Sequence, residues 1–145
     1  VYVPIGMGSG VCGMVAARNA LGLKTKIVGV VSAHARAYAA SFKEHKLLEA
    51  PVTTQIADGL ACRVPHPDAL QIIWQGVDHI VEVTDQELGQ AICHLYECTH
   101  NMAEGAGAAA TAAAFQEQAL NQGRKIALVL SGGNIDREVF AKLIA

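Results

Sequence analysis

The sequence predicts an α/β fold: an open parallel sheet with helices on both faces. Short apolar strand-like runs alternate with helical stretches along the chain, the pattern of right-handed βαβ crossovers. The run Lys26-Ile27-Val28-Gly29-Val30-Val31 is almost wholly apolar, as a strand must be when helices cover both its faces. Glycine-rich loops follow the first and last of these runs, where an open sheet of this kind receives its ligands.

Taken in order, residues 1–5 read as a short strand, residues 6–10 as a glycine loop, and residues 11–21 as a helix closed by Gly22 in the left-handed cap position. Residues 26–31 form the second strand, and residues 35–48 are helical in character. Residues 51–67 contain Pro51, Pro65 and Pro67 with a turn-like Ala57-Asp58-Gly59, and so form an irregular connection. Asp68 is expected to cap a helix to Gln75. Residues 79–83 form a strand, after which Thr84, with Glu87 in the capping-box position, opens a helix to Cys98. Residues 103–114 are dominated by alanine, small enough for a helix packed closely on the sheet. Residues 125–130 are expected to be the last buried strand, running into Ser131-Gly132-Gly133-Asn134, and Asp136 opens a terminal helix.

With 145 residues the chain suffices for one domain with a real core. Hydrophobic residues make up 52%, yet Gly, Pro and charges interrupt every apolar run, so nothing approaches the roughly 20 residues of a membrane span. The net charge of −2, with no basic run, gives no electrostatic footprint for nucleic acid. Cys12, Cys62, Cys93 and Cys98 sit in apolar surroundings without a secretion signal, which predicts reduced, mostly buried thiols and a cytoplasmic location. The opening Val1-Tyr2-Val3 reads as a strand already under way, so the chain is expected to be cut from a longer polypeptide.

The strongest local chemistry is Gly6-Met7-Gly8-Ser9-Gly10 between a strand and a helix. Its glycines allow close backbone approach, and the free N–H groups at the positive end of the helix favour a phosphate. Gly8 to Gly13 also spells G-x-G-x-x-G, but the dinucleotide fingerprint wants a carboxylate at the end of the second strand. That strand ends Val31-Ser32-Ala33-His34. A non-catalytic NADP- or phosphate-binding module, using Arg36, is the alternative reading. The loop at Ser131 is expected to face the same crevice.

In this order and at these intervals, Val3-Pro4-Ile5-Gly6-Met7-Gly8-Ser9-Gly10, Ala57-Asp58-Gly59, Ala103-Glu104-Gly105-Ala106-Gly107 and Leu130-Ser131-Gly132-Gly133-Asn134 resemble the threonine/serine dehydratases and serine racemases, fold-type II pyridoxal-phosphate enzymes. The resemblance implies that Gly6, Met7, Gly8, Ser9 and Gly10 wrap the phosphate of pyridoxal 5'-phosphate. It implies that Ser131 hydrogen-bonds the pyridine nitrogen, and that Glu104 and Gly59, with Asp58 beside them, line the ring. The implied reaction is dehydration and deamination of an amino-acid substrate, L-threonine or L-serine, to a 2-oxo acid and ammonia, in a homo-oligomer.

The sequence departs from the family in three ways. The family's Schiff-base lysine lies in a Ser-Phe-Lys-type motif before the glycine loop, so this chain is expected to be inactive alone. Ser41-Phe42-Lys43 copies that motif in the wrong place, on a surface-like helix with Glu44, His45 and Lys46. The positions of the family's occasional divalent-metal carboxylates hold Val31 and Ala37, so no metal is expected. The usual Glu-Pro is Glu104-Gly105, and Met7 and Ser9 replace glycines. Three weaker features have plain structural readings. Cys93, His94, Cys98 and His100 lack metal-site companions, Ser9 lacks the G-x-S-x-G elbow, and Trp74 suits core packing.

Overall fold

The computed structural model describes all of residues 1–145. Three parallel strands, β1 (Tyr2–Pro4), β2 (Val28–Ser32) and β3 (His79–Val83), lie side by side in chain order. Their register sets Tyr2 beside Val28 and Val28 beside His79. Helices α1 (Ser9–Ala20), α2 (Ala37–Glu44) and α3 (Pro67–Gly76) interleave with the strands, and α4 (Asp85–Thr99), α5 (Gly105–Gln116) and α6 (Arg137–Ile144) follow them.

Strand side chains alternate between two faces, and each face has its own core. Val28, Val30, Val81 and Val83 point toward α4, α5 and α6, where they meet Leu88, Ile92, Phe140 and the alanines of α5. On the other face Val3, Ile5 and Val31 pack with Val11, Val15, Tyr38, Leu70 and Ile73 from α1, α2 and α3. The parallel sheet covered on both faces is therefore as predicted.

Several boundaries have visible causes. Gly22, at φ +62°, takes the left-handed turn after α1. The Thr84 side chain accepts from the Glu87 N–H at 3.2 Å, while the Glu87 carboxylate accepts from the Thr84 N–H at 2.7 Å, completing the expected capping box. The helix expected over residues 35–48 is shorter, because His45 adopts φ +52° and ends α2 at Glu44. Asp68 is not a cap. His66 holds the N-cap position and Pro67 the first helical one, where a missing N–H costs nothing.

The largest correction concerns residues 125–130. They run parallel to β1, joined through the Tyr2 N–H to Ala127 O at 2.9 Å and the Val129 N–H to Tyr2 O at 3.1 Å. They are not buried: Ile126, Leu128 and Leu130 are 39–44% exposed, because the segment is the outermost member of the sheet and its far edge is unpaired. The thiols also differ from expectation. Only Cys62 is buried, Cys12 and Cys93 are half-buried, and Cys98 is exposed.

Candidate cofactor site

The first glycine motif lies where β1 ends and α1 begins, the second in the connection between α2 and α3, the third where α5 begins, and the fourth between residues 125–130 and α6. After β1 the chain is held to β2 by the Ile5 N–H to Val30 O bond of 2.8 Å. It then turns through Gly8, at φ +97° and ψ −10°, which is the N-cap of α1. An L side chain rarely adopts that conformation, and a Cβ on Gly8 would stand 2.8 Å from that of Ala69. The N–H groups of Gly6, Met7, Gly8, Ser9, Gly10 and Val11 meet no protein acceptor, and Ser9 and Gly10 are exposed. A row of free donors at the positive end of a helix is an anion seat.

The motifs, far apart in sequence, touch one another through their glycines. A Cβ on Gly6 would strike the Gly59 carbonyl oxygen, and one on Gly59 would lie 2.8 Å from the Ala106 Cβ. Gly105 abuts the Ile56 carbonyl, Gly107 the Gly132 carbonyl, and Gly132 the Glu104 carboxylate. The Glu104 N–H also donates to Gly132 O at 3.1 Å. The structure thus brings Gly6, Met7, Gly8, Ser9, Gly10, Gly59, Glu104 and Ser131 onto four adjoining backbone segments. Met7, Ser9 and Ser131 are exposed and Glu104 is half-buried.

Sequence reasoning missed the residues that brace these segments. Tyr38, 1% exposed, donates from its hydroxyl to Met7 O at 2.6 Å and accepts from the His66 N–H at 3.1 Å. Burial pushes its phenol above the ordinary range. Asp85, in the first turn of α4, accepts from the Thr54 hydroxyl at 2.6 Å and the Gln55 N–H at 2.7 Å. The Thr54 oxygen in turn accepts from the Ala57 N–H at 3.2 Å, just before Asp58 and Gly59. Neither contact follows from local spacing, since each joins distant segments.

A cavity of about 500 Å³ opens at the amino ends of the strands instead, lined by Tyr2, Lys26, His79, Glu117 and Arg124 among others. It holds none of the predicted site residues, and its carboxylates are already matched. Lys26 pairs with Asp78 at 2.9 Å, and His79 meets Asp78 at 2.9 Å and Glu117 at 2.8 Å. The hollow beside the glycine loop, about 330 Å³, is lined by Met7, Ser9, Cys12, His66, Asp68, Ala69 and Ile72.

The remaining candidates resolve into structural contacts. Arg36, the residue a 2′-phosphate would need, forks onto the Glu82 carboxylate, with Nη2 at 3.1 Å from Oε1. Lys43 is exposed. Val31 and Ala37 are completely buried apolar side chains. Cys93 donates to Leu143 O at 2.8 Å, His94 packs edge-on to Phe115, and His100 closes α4 in a left-handed conformation. Trp74 is half-buried, donating to Ser41 O at 3.2 Å and stacked on His45.

The profile of the family described as pyridoxal-phosphate dependent enzyme matches residues 1–132. The chain belongs to that family. Among pyridoxal-phosphate dependent relatives, an L-threonine ammonia-lyase of Geobacter sulfurreducens is 35% identical over 144 residues, 99% of this chain and 36% of the relative. A catabolic L-threonine dehydratase of Staphylococcus aureus is 32% identical over 94% of this chain and 40% of its own. Maize serine racemase superposes with a TM-score of 0.87 at 28% identity, over 97% of this chain and 44% of that one. A processed threonine deaminase from Solanum lycopersicum does so at 0.89 and 26%, over 98% and 42%. The chain spans less than half the length of each of these proteins. The family's cofactor is pyridoxal phosphate, and the site suits it: free amides and a glycine N-cap for a phosphate, with the Gly59, Glu104 and Ser131 segments alongside for a flat ring.

Proposed function

We propose that the polypeptide to which this chain belongs is a threonine/serine dehydratase, releasing a 2-oxo acid and ammonia from L-threonine or L-serine. The observation that carries this reading is the contiguity of the four motifs, pinned to one another at Gly6, Gly59, Gly105, Gly107 and Gly132. Similarity to threonine ammonia-lyases over nearly the whole chain supports it.

Bound in the site, pyridoxal phosphate supplies an electron sink for bond cleavage at the substrate Cα. The backbone amides of Gly8, Ser9 and Gly10, with the Ser9 hydroxyl, would hold its phosphate. Ser131 would offer the pyridine nitrogen a hydroxyl, which cannot keep that nitrogen protonated as a carboxylate would, a setting that suits β-elimination. Glu104, Gly59 and Asp58 would flank the ring. All six lysines of this chain are exposed, and Lys26 and Lys125 line the cavity at the opposite end of the sheet. The lysine that carries the cofactor therefore comes, in this proposal, from polypeptide outside residues 1–145, and the chain alone is inactive.

The test is a pyridoxal-phosphate titration of the chain, followed by borohydride reduction and mass spectrometry. Saturable binding without a stoichiometric lysine adduct is expected. A stoichiometric adduct on Lys43 would contradict the assignment of the lysine, and absence of saturable binding would contradict the site.

A further inference from the structure

Resting on the reading of residues 6–10 as a phosphate seat, we infer that Tyr38 is the positioning residue of that seat, aiming the Gly8 N–H at the anion. The amides of the seat fall under two controls. Gly8 O accepts from the Cys12 N–H at 3.0 Å, the first bond of α1. The peptide between Gly8 and Ser9 is therefore fixed by the helix, with the Ser9 N–H pointing out of the helix end. The preceding peptide, between Met7 and Gly8, lies outside the helix, and Gly8 at φ +97° leaves its orientation to other contacts.

Tyr38 supplies that contact. Its hydroxyl donates to Met7 O at 2.6 Å. The peptide is planar and trans, so a carbonyl held toward Tyr38 turns the N–H of the same unit the opposite way. That N–H belongs to Gly8 and meets no protein acceptor. The hydroxyl is itself fixed, because its oxygen accepts from the His66 N–H at 3.1 Å and the ring is 1% exposed in the core between α1 and α3. Gly8 has no room to retreat, since a Cβ there would stand 3.1 Å from the Tyr38 oxygen. A phenylalanine fills the same space and leaves the carbonyl free to swing.

The experiment compares pyridoxal phosphate with pyridoxal, which lacks the phosphate, on the wild-type protein and on Tyr38→Phe, with circular dichroism as the folding control. Tyr38→Phe is expected to weaken pyridoxal phosphate about five- to tenfold and to leave pyridoxal unchanged. Equal weakening of both ligands, or an unchanged advantage for the phosphate, would overturn the inference. Wild-type protein that binds the two ligands equally would remove the phosphate seat itself, and the inference with it. Should Tyr38→Phe fail to fold, carbon-13 NMR of the wild type decides. The Met7 carbonyl and Tyr38 Cζ resonances should shift on adding pyridoxal phosphate, saturating together with the Gly8 amide, and a silent Tyr38 Cζ overturns the inference.

Discussion

Gly6 has space for a hydrogen and no more, because the Gly59 carbonyl occupies the position a Cβ would take. Gly6→Ala must push apart two segments that the proposed site brings together, and overpacking of this kind costs about 1–3 kcal/mol. We expect a lower melting temperature and weaker pyridoxal-phosphate binding from this variant, read by thermal unfolding and titration. Gly10→Ala is the control, since a Cβ there meets nothing within 4 Å, and it should be thermally near neutral. At this scale the sequence marked which glycines mattered by their clustering. It could not show that Gly6 answers to Gly59, because that contact exists only after the chain has crossed the sheet. Tyr38 was invisible for the same reason: a tyrosine on an apolar helix face looks like core, and its hydroxyl partners are a backbone carbonyl and a backbone N–H.

Among the elements, local chemistry made β3 and α4 readable, since β3 keeps its expected bounds and the capping box at Thr84 forms as its spacing requires. The errors fell where tertiary position decides. An apolar run at residues 125–130 looks the same at the centre of a sheet or at its rim, and only the neighbours, β1 on one side and none on the other, make it exposed. The irregular connection around Ala57 depends on α4. Asp85→Ala removes the acceptor of both Thr54 and Gln55, hydrogen bonds to a charged group that are each worth about 1.5–3 kcal/mol. Its expected signature is faster amide hydrogen exchange at residues 54–59 with slower change elsewhere. Uniform acceleration through the whole chain would mean that Asp85 supports global stability and not this segment.

Over the whole molecule, the two ends of the sheet do different work. The carboxyl ends carry the glycine segments, whereas at the amino ends one carboxylate ties β1 to β3: Glu117 accepts from the Tyr2 hydroxyl at 2.6 Å and lies 2.8 Å from His79 Nε2. Burial opposes charge on His79, but its hydrogen bonds to Asp78 and Glu117 prevail and raise it above its ordinary 6.5. Asp78 is held below its ordinary 3.8 by Lys26 first and His79 second. A raised histidine stabilises fully below its unfolded value and loses the effect as pH rises through the folded one. A depressed carboxylate stabilises above its unfolded value and loses the effect as pH falls through the folded one. Their joint contribution should be greatest between 3.8 and 6.5. Urea unfolding of wild type against His79→Gln should show a gap that closes as the pH is raised above 6.5. A gap that does not change with pH would show that charge on His79 plays no part. Partial exposure of the histidine keeps this gap modest.

Helix α5 is buried at every position from Gly105 to Ala114. An ordinary surface helix finds its rotation about its own axis from the difference between its wet and dry sides. Over that span α5 has no wet side, and a turn about its axis would largely exchange one methyl group for another. Something other than hydrophobicity must therefore set its azimuth. The notches at Gly105 and Gly107, into which the Ile56 and Gly132 carbonyls fit, index one end, and Glu117, tethered to Tyr2 and His79, indexes the other. These few residues serve as the keyway of a featureless shaft, so the direction in which Glu104 and Ala106 face depends on contacts made at both ends of the molecule.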